Sequence, residues 1–278
     1  MMAFGLEDTR KFLQELQHCP KKSLGQNFLI ESQFVQKSIT WANVQANDVV
    51  IEVGPGCGTL TQGLCQQGAH VYVVEKDNNL YKHIVERFPV DAKCGDALEY
   101  PVGNYDLTKP YKIVANLPYA IASIWLDAIL TLPLRPQCMV LLVQKEAADR
   151  WLSEPNSKSF CPLGIFLQSA FYLEQKCCVP KRCFFPQPKV DSTLLCLKER
   201  SDGFIFTPSV KKFLRDIFTH RRQQLQRTCK EYASKELANC LLSALANSDF
   251  PPTVRAENLP LAFWQNYQRL VSAEVEEC

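Results

Sequence analysis

Short β-branched apolar runs alternate with segments of helical periodicity over the first half of the chain. Val49-Val50-Ile51-Glu52-Val53 reads as a buried strand, and Gly54, Gly56 and Gly58 follow it at every second position. Thr59-Leu60-Thr61 then opens a helical pattern that runs to Gln67, where Gly68 stops it. His70 to Val74 is a second strand ending at Glu75-Lys76-Asp77, and a helix over Asn78 to Arg87 is ended by Pro89. A weak strand around Val90 to Lys93 precedes Gly95-Asp96-Ala97. Lys112 to Ala115 is a fourth strand, followed at once by Asn116-Leu117-Pro118-Tyr119. A helix over Ala122 to Leu130 and a strand over Met139 to Val143 complete the alternation. Upstream lie an amphipathic helix over Leu6 to Leu16, an irregular basic stretch from Pro20 to Leu29, and a helix from Ser32 to Asn43 capped by Ser32. Strands separated by helices in this way call for a parallel, doubly wound α/β sheet.

The rhythm changes after Glu146. A helix ends near Trp151, Ser153 to Ser157 is a loop, and Phe171–Val179 and Ser192–Leu197 read as two more strands around the loop Pro180–Asp191. Ser201-Asp202-Gly203 is a linker, and Ser209 to Val271 is helical with a break at Pro251-Pro252. The domain boundary is therefore expected near residue 200, giving units 1–200 and 201–278.

Length and composition add bounds. At 278 residues, with 46% apolar and 22% charged positions, the chain has the make-up of a soluble protein with a real core. Thirteen cysteines form no C-x-x-C pair and the four histidines are isolated, so no metal is expected, and free thiols suit a reducing cytoplasm. The N-terminal residues carry acids and no apolar core of a signal peptide, and no apolar run approaches a membrane span. A soluble, cytoplasmic monomer is the expectation.

The glycine stretch departs from a dinucleotide fingerprint. That pattern wants a third glycine three residues after the second, where this chain has Thr59; its third glycine is Gly58. Gly54 and Gly56 allow a tight turn and a close approach to a ligand, while Pro55 removes an N–H that a pyrophosphate cradle would use. Glu75, 21 residues beyond Gly54, is placed to accept from both ribose hydroxyls. Asp96, after the third strand, would accept from an adenine amino group. Adenine, ribose and no phosphate describe S-adenosylmethionine. Each acid taken alone would be a solvated strand end; three elements in order at consecutive strand ends argue against that.

Asn116-Leu117-Pro118-Tyr119 follows a buried strand and so stands at the carboxyl edge beside the cofactor. An exocyclic adenine amine is a poor nucleophile because its lone pair is delocalised into the ring. Acceptance of its two hydrogens by the Asn116 side-chain carbonyl and the Pro118 backbone carbonyl would localise that pair toward a methyl sulfonium. Tyr119 offers a ring for stacking an extruded base.

These motifs resemble the small-subunit ribosomal RNA adenine N6,N6-dimethyltransferases over nearly the whole chain. The resemblance rests on Lys22 to Leu29, Glu52 to Thr61, Val74 to Asp77, Gly95-Asp96-Ala97, Asn116 to Tyr119, Gln144-Lys145-Glu146, Pro155 to Lys158 and Phe184 to Ser192. It implies an α/β fold with a Rossmann-like S-adenosylmethionine-dependent methyltransferase sheet (1–200) and a smaller all-helical, RNA-binding C-terminal domain (201–278). It further implies that Asn27, Leu29, Gly54, Glu75, Asp96 and Asn116 line the cofactor site. Asn116, Leu117, Pro118 and Tyr119 would handle the target amine, with Phe184 stacking on the base opposite Tyr119. The expected product is two adjacent dimethyladenosines in the 3′-terminal hairpin loop of small-subunit (16S) rRNA, made on an immature 30S particle during ribosome biogenesis. Two positions depart from the usual pattern: Cys161-Pro162-Leu163-Gly164, and Cys57 within the glycine hinge.

Between Lys211 and Lys230 lie seven basic side chains and one acid, Asp216. Lys211, Lys212, Arg221 and Arg222 are the expected phosphate contacts, and Lys176, Lys181, Arg182 and Lys189 form a second basic cluster around the Phe184 loop. Three rival readings are a large-subunit rRNA adenine methyltransferase of the macrolide-resistance type, a non-catalytic ribosome assembly factor, and an NAD-dependent dehydrogenase. The ending Arg255 to Leu259 and the length of the helical tail argue against the first, and the intact Glu75, Asp96 and Asn116 to Tyr119 against the second. The misplaced third glycine argues against the third.

Overall fold

The computed structural model describes residues 5–231 and 235–276; positions 232–234, inside the expected C-terminal helical stretch, lie outside the described residues. In chain order the elements begin with α1 (Leu6–Glu15), β1 (Phe28–Leu29), α2 (Ser32–Trp41), β2 (Val49–Val53), α3 (Thr59–Gln66) and β3 (His70–Glu75). Next come α4 (Asn78–Arg87), β4 (Asp91–Cys94), β5 (Tyr111–Asn116), α5 (Ala122–Ile129), β6 (Cys138–Gln144) and α6 (Lys145–Trp151). They continue with α7 (Pro162–Ala170), β7 (Phe171–Val179), β8 (Phe184–Phe185) and β9 (Ser192–Glu199). The last four are α8 (Pro208–Thr219), α9 (Leu225–Glu231), α10 (Lys235–Ala246) and α11 (Leu261–Glu276).

Seven strands form one sheet in the order β4-β3-β2-β5-β6-β9-β7. The first five are parallel, as the alternation with helices requires, and β9 runs antiparallel to β6. The two late strands thus extend the same sheet instead of building a second one. Strand β6 is buried from Cys138 to Val143, which explains its continuous apolar run. A separate two-stranded ribbon pairs β1 with β8, setting Phe28 against Phe185 and Leu29 against Phe184. At α2 the N-cap position is Glu31, not Ser32, which is the first helical residue, and no side chain caps the helix. Asp77 does cap α4, accepting from the backbone N–H groups of Asn79 and Leu80.

The chain divides into two compact units, one of residues 1–148 and 172–199, the other of 149–171 and 200–278. Three crossings, at 148/149, 171/172 and 199/200, stand where the sequence reading expects one boundary near 200. The physical reason is α7, which packs with the C-terminal helices: Phe166 and Phe206 lie ring to ring at 5.1 Å, and nearby Phe160 and Phe218 at 5.9 Å. Pro162 starts α7 at a position where its missing N–H costs nothing. Gly164 lets that helix approach the Trp151 and Arg150 carbonyls, which a side-chain carbon would meet at 3.0 and 3.3 Å. The Cys161 to Gly164 run is thus a packing feature. Among the described residues no helix is long and apolar enough to cross a membrane.

Candidate active site

Strand β2 ends at Val53, and the chain turns through three left-handed glycines into α3. Gly54 has φ +69°, and a side-chain carbon there would press on the Pro118 ring at 3.3 Å. Gly58 has φ +83°, and its missing carbon would sit 2.4 Å from the Phe88 ring. The hinge after β2 is thereby packed directly on the loop after β5. A pocket opens at this carboxyl edge of the sheet, and its lining includes Asn27, Leu29, Gly54, Glu75, Asp96, Asn116 and Tyr119. Segments distant in sequence, Ser23 to Leu29 and Asn116 to Ile121, meet there.

The pocket carries three carboxyl groups. Glu75 is 6% exposed; its Oε2 accepts from the Gly56 N–H at 3.3 Å and its Oε1 from the Asp77 N–H at 2.8 Å. Burial pushes its pKa up to about 7, against those two bonds. Glu52, the one polar residue of β2, accepts from Thr61 Oγ1 at 2.7 Å, and burial pushes it up to about 8. Asp96 accepts from Lys76 Nζ at 2.7 Å and from the Leu98 N–H at 2.9 Å, and the Lys76 bond holds it below the usual carboxylate range. Lys76 is the one basic side chain among the pocket residues, and Asp96 pairs it. A pocket without a spare cation suits a phosphate-free ligand.

Asn116, the last residue of β5, donates from Nδ2 to the Asn27 carbonyl at 3.1 Å. That bond fixes which way the carboxamide faces and leaves Oδ1 as the acceptor. The Pro118 carbonyl already accepts from the Ile121 N–H at 3.1 Å, so one of its two lone pairs is used in the turn into α5. Tyr119 is half-buried, its hydroxyl 2.6 Å from Ser192 Oγ at the start of β9, and burial raises its phenol above the ordinary value. Ser192 closes the Phe184-to-Ser192 motif but has no role in the sequence reading; only the antiparallel return of β9 beside β6 reveals it.

Three expected site residues are placed differently. Phe184 is 3% exposed and packs in the core with Leu29, Val179, Cys183 and Leu194, so it offers no free face for stacking. Pairing with β1 draws it inward, and its neighbour Phe185, half-exposed, carries the Arg10 guanidinium 5.2 Å from its ring centre. Lys211 is 2% exposed with its ammonium over the Phe166 ring at 5.4 Å, so it is a core residue of α8 and not a phosphate contact. Arg221 donates to the Phe160 carbonyl at 3.1 Å and pairs with Glu257 at 3.5 Å, which makes it a strut inside the helical unit. Lys212 and Arg222 are exposed. Among the described residues no three His, Cys, Asp or Glu side chains gather as a metal site.

Comparison with known proteins finds relatives over nearly the whole chain. A Ribosomal RNA small subunit methyltransferase A from Opitutus terrae is 42% identical over 268 residues, covering 94% of this chain and 96% of that protein. One of the same name from Chlamydia caviae is 34% identical over 271 residues, covering 95% and 96%. In fold, a dimethyladenosine transferase from Plasmodium falciparum superposes with a TM-score of 0.70 at 24% identity, covering 90% of this chain and 98% of that one. The 23S rRNA methyltransferase ErmE gives 0.64 at 21% identity, covering 88% and 100%. The family described as Ribosomal RNA adenine dimethylase matches residues 17–249, and the chain belongs to it.

Proposed function

We propose that this rRNA adenine dimethyltransferase uses S-adenosylmethionine to dimethylate two adjacent adenosines in the 3′-terminal hairpin loop of small-subunit rRNA. Its substrate is an immature 30S particle in the cytoplasm, and it acts as a monomer. The relatives named small subunit methyltransferases, at 42% and 34% identity over most of the chain, support the choice of subunit. Bound S-adenosylmethionine supplies an electrophilic methyl on sulfur. With it bound, Glu75 would accept from the ribose hydroxyls, Asn27, Leu29 and Gly54 would line the site, and Asp96 would accept from the adenine amino group. Asn116 Oδ1 accepts one N6 hydrogen of the target base, and the second lone pair of the Pro118 carbonyl is the candidate for the other. Leu117, 1% exposed, anchors this loop in the core. Stacking on the Tyr119 ring contributes ~1–3 kcal/mol, which offsets the cost of extruding the base, on the order of a few kcal/mol.

One observation carries this reading: the Asn116 carboxamide is anchored through its nitrogen at 3.1 Å, so its oxygen is the fixed acceptor at the carboxyl edge. Asn116→Ala is expected to slow single-turnover methyl transfer about 10²- to 10³-fold, with cofactor affinity changed only severalfold in a binding titration. Equal loss of rate and affinity would assign Asn116 to cofactor binding alone.

A further inference from the structure

We infer that Lys21 and Gln26, clasped to Asp77, act as positioning residues for the Asn116 carboxamide; the inference rests on the catalytic reading of Asn116. Asp77 follows β3 and is 2% exposed. Its Oδ1 caps α4, while its Oδ2 accepts from Lys21 Nζ at 2.7 Å and from Gln26 Nε2 at 3.4 Å. Gln26 Oε1 in turn accepts from the Lys21 N–H at 2.7 Å and lies 3.0 Å from His18 Nε2. The loop 21–26 is thus closed on Gln26, with Gly25 turning it at φ +64°. The very next residue is Asn27, whose carbonyl holds Asn116 Nδ2.

An anchored carboxamide has one useful orientation. Without the Asn27 carbonyl it can rotate by half a turn, which puts N–H groups where the target amine needs an acceptor. Asp77 also reaches the cofactor side, because its backbone N–H donates to Glu75 Oε1 at 2.8 Å. One buried residue, Asp77, therefore ties together the segment over the pocket through its carboxylate, the ribose acceptor through its backbone N–H and, by way of Asn27, the acceptor for the target amine. The Lys21 side chain is 50% exposed but its partner Asp77 is buried, so loss of the Lys21 ammonium leaves a buried carboxylate with fewer partners and lowers stability, which the melting measurement reads. Placement errors of an ångström slow a reaction strongly.

The test compares Lys21→Met, Lys21→Arg and Gln26→Ala with wild type, using unmethylated small ribosomal subunits and labelled S-adenosylmethionine in single turnover. Cofactor dissociation constants and thermal melting are measured on the same proteins. Gln26→Ala is expected to slow methyl transfer about tenfold or more, with cofactor affinity within threefold and melting little changed. Lys21→Met is expected to be slower than wild type, and Lys21→Arg to recover most of that loss. The inference is overturned if Gln26→Ala keeps a rate within twofold of wild type, if affinity falls as far as rate, or if Lys21→Arg is no better than Lys21→Met. A wild type that transfers no methyl group, or an Asn116→Ala variant at full rate, overturns the underlying reading itself.

Discussion

Glu75 sits where a buried carboxylate meets two backbone N–H groups, and the balance leaves it titrating near neutrality. Ribose hydroxyls donate hydrogen bonds, so the ionised form is the one that binds them. With a pKa of about 7 in the free protein, ionisation rises across the range from pH 6 to pH 8. Cofactor affinity is therefore expected to improve about tenfold over that range. Glu75→Gln should bind more weakly and without that pH dependence in the same titration. A wild-type affinity that falls with rising pH would remove Glu75 from the ribose. The position of this carboxylate was legible in the sequence from its place at a strand end, 21 residues past Gly54. Its charge state was not, because that depends on burial and on the Gly56 and Asp77 N–H groups that the fold brings to it.

At the scale of elements, the alternation of strands and helices identified β2 to β6 because each pairs in parallel and shows its burial in local composition. What escaped was set by long-range pairing. Strand β8 is two residues long, and its pairing with β1 moves Phe184 from an expected stacking surface into the core. Helix α7 is apolar through Ile165, Phe166 and Leu167, but it packs on α8 and α11, too distant in sequence to be inferred from periodicity. Ser192 likewise gained its bond to Tyr119 from the antiparallel entry of β9. Because Phe184 is core, Phe184→Ala should cost about 3–5 kcal/mol in a denaturant titration. Its methyl-transfer rate, measured where it remains folded, should stay within severalfold of wild type. A hundredfold loss of rate with unchanged stability would return Phe184 to the target base.

For the molecule as a whole, a net charge of +2 hides an uneven distribution, with seven basic side chains between Lys211 and Lys230. Folding removes two of the expected contacts from that set, since Lys211 is buried and Arg221 is bound internally. Lys212 and Arg222 stay exposed. Replacing both with Gln should weaken binding to ribosomal particles and lower the salt slope of log K by about one for each. Lys211→Met should leave the slope unchanged and act on stability instead. Binding insensitive to salt would show that this face does not meet RNA. The family names the reaction, and the most direct test is to map its product. Unmethylated small ribosomal subunits incubated with the protein and labelled S-adenosylmethionine should acquire N6,N6-dimethyladenosine at two neighbouring positions of the 3′-terminal hairpin loop. Label only at other positions of the small-subunit rRNA, or none at those adenosines, would contradict the account.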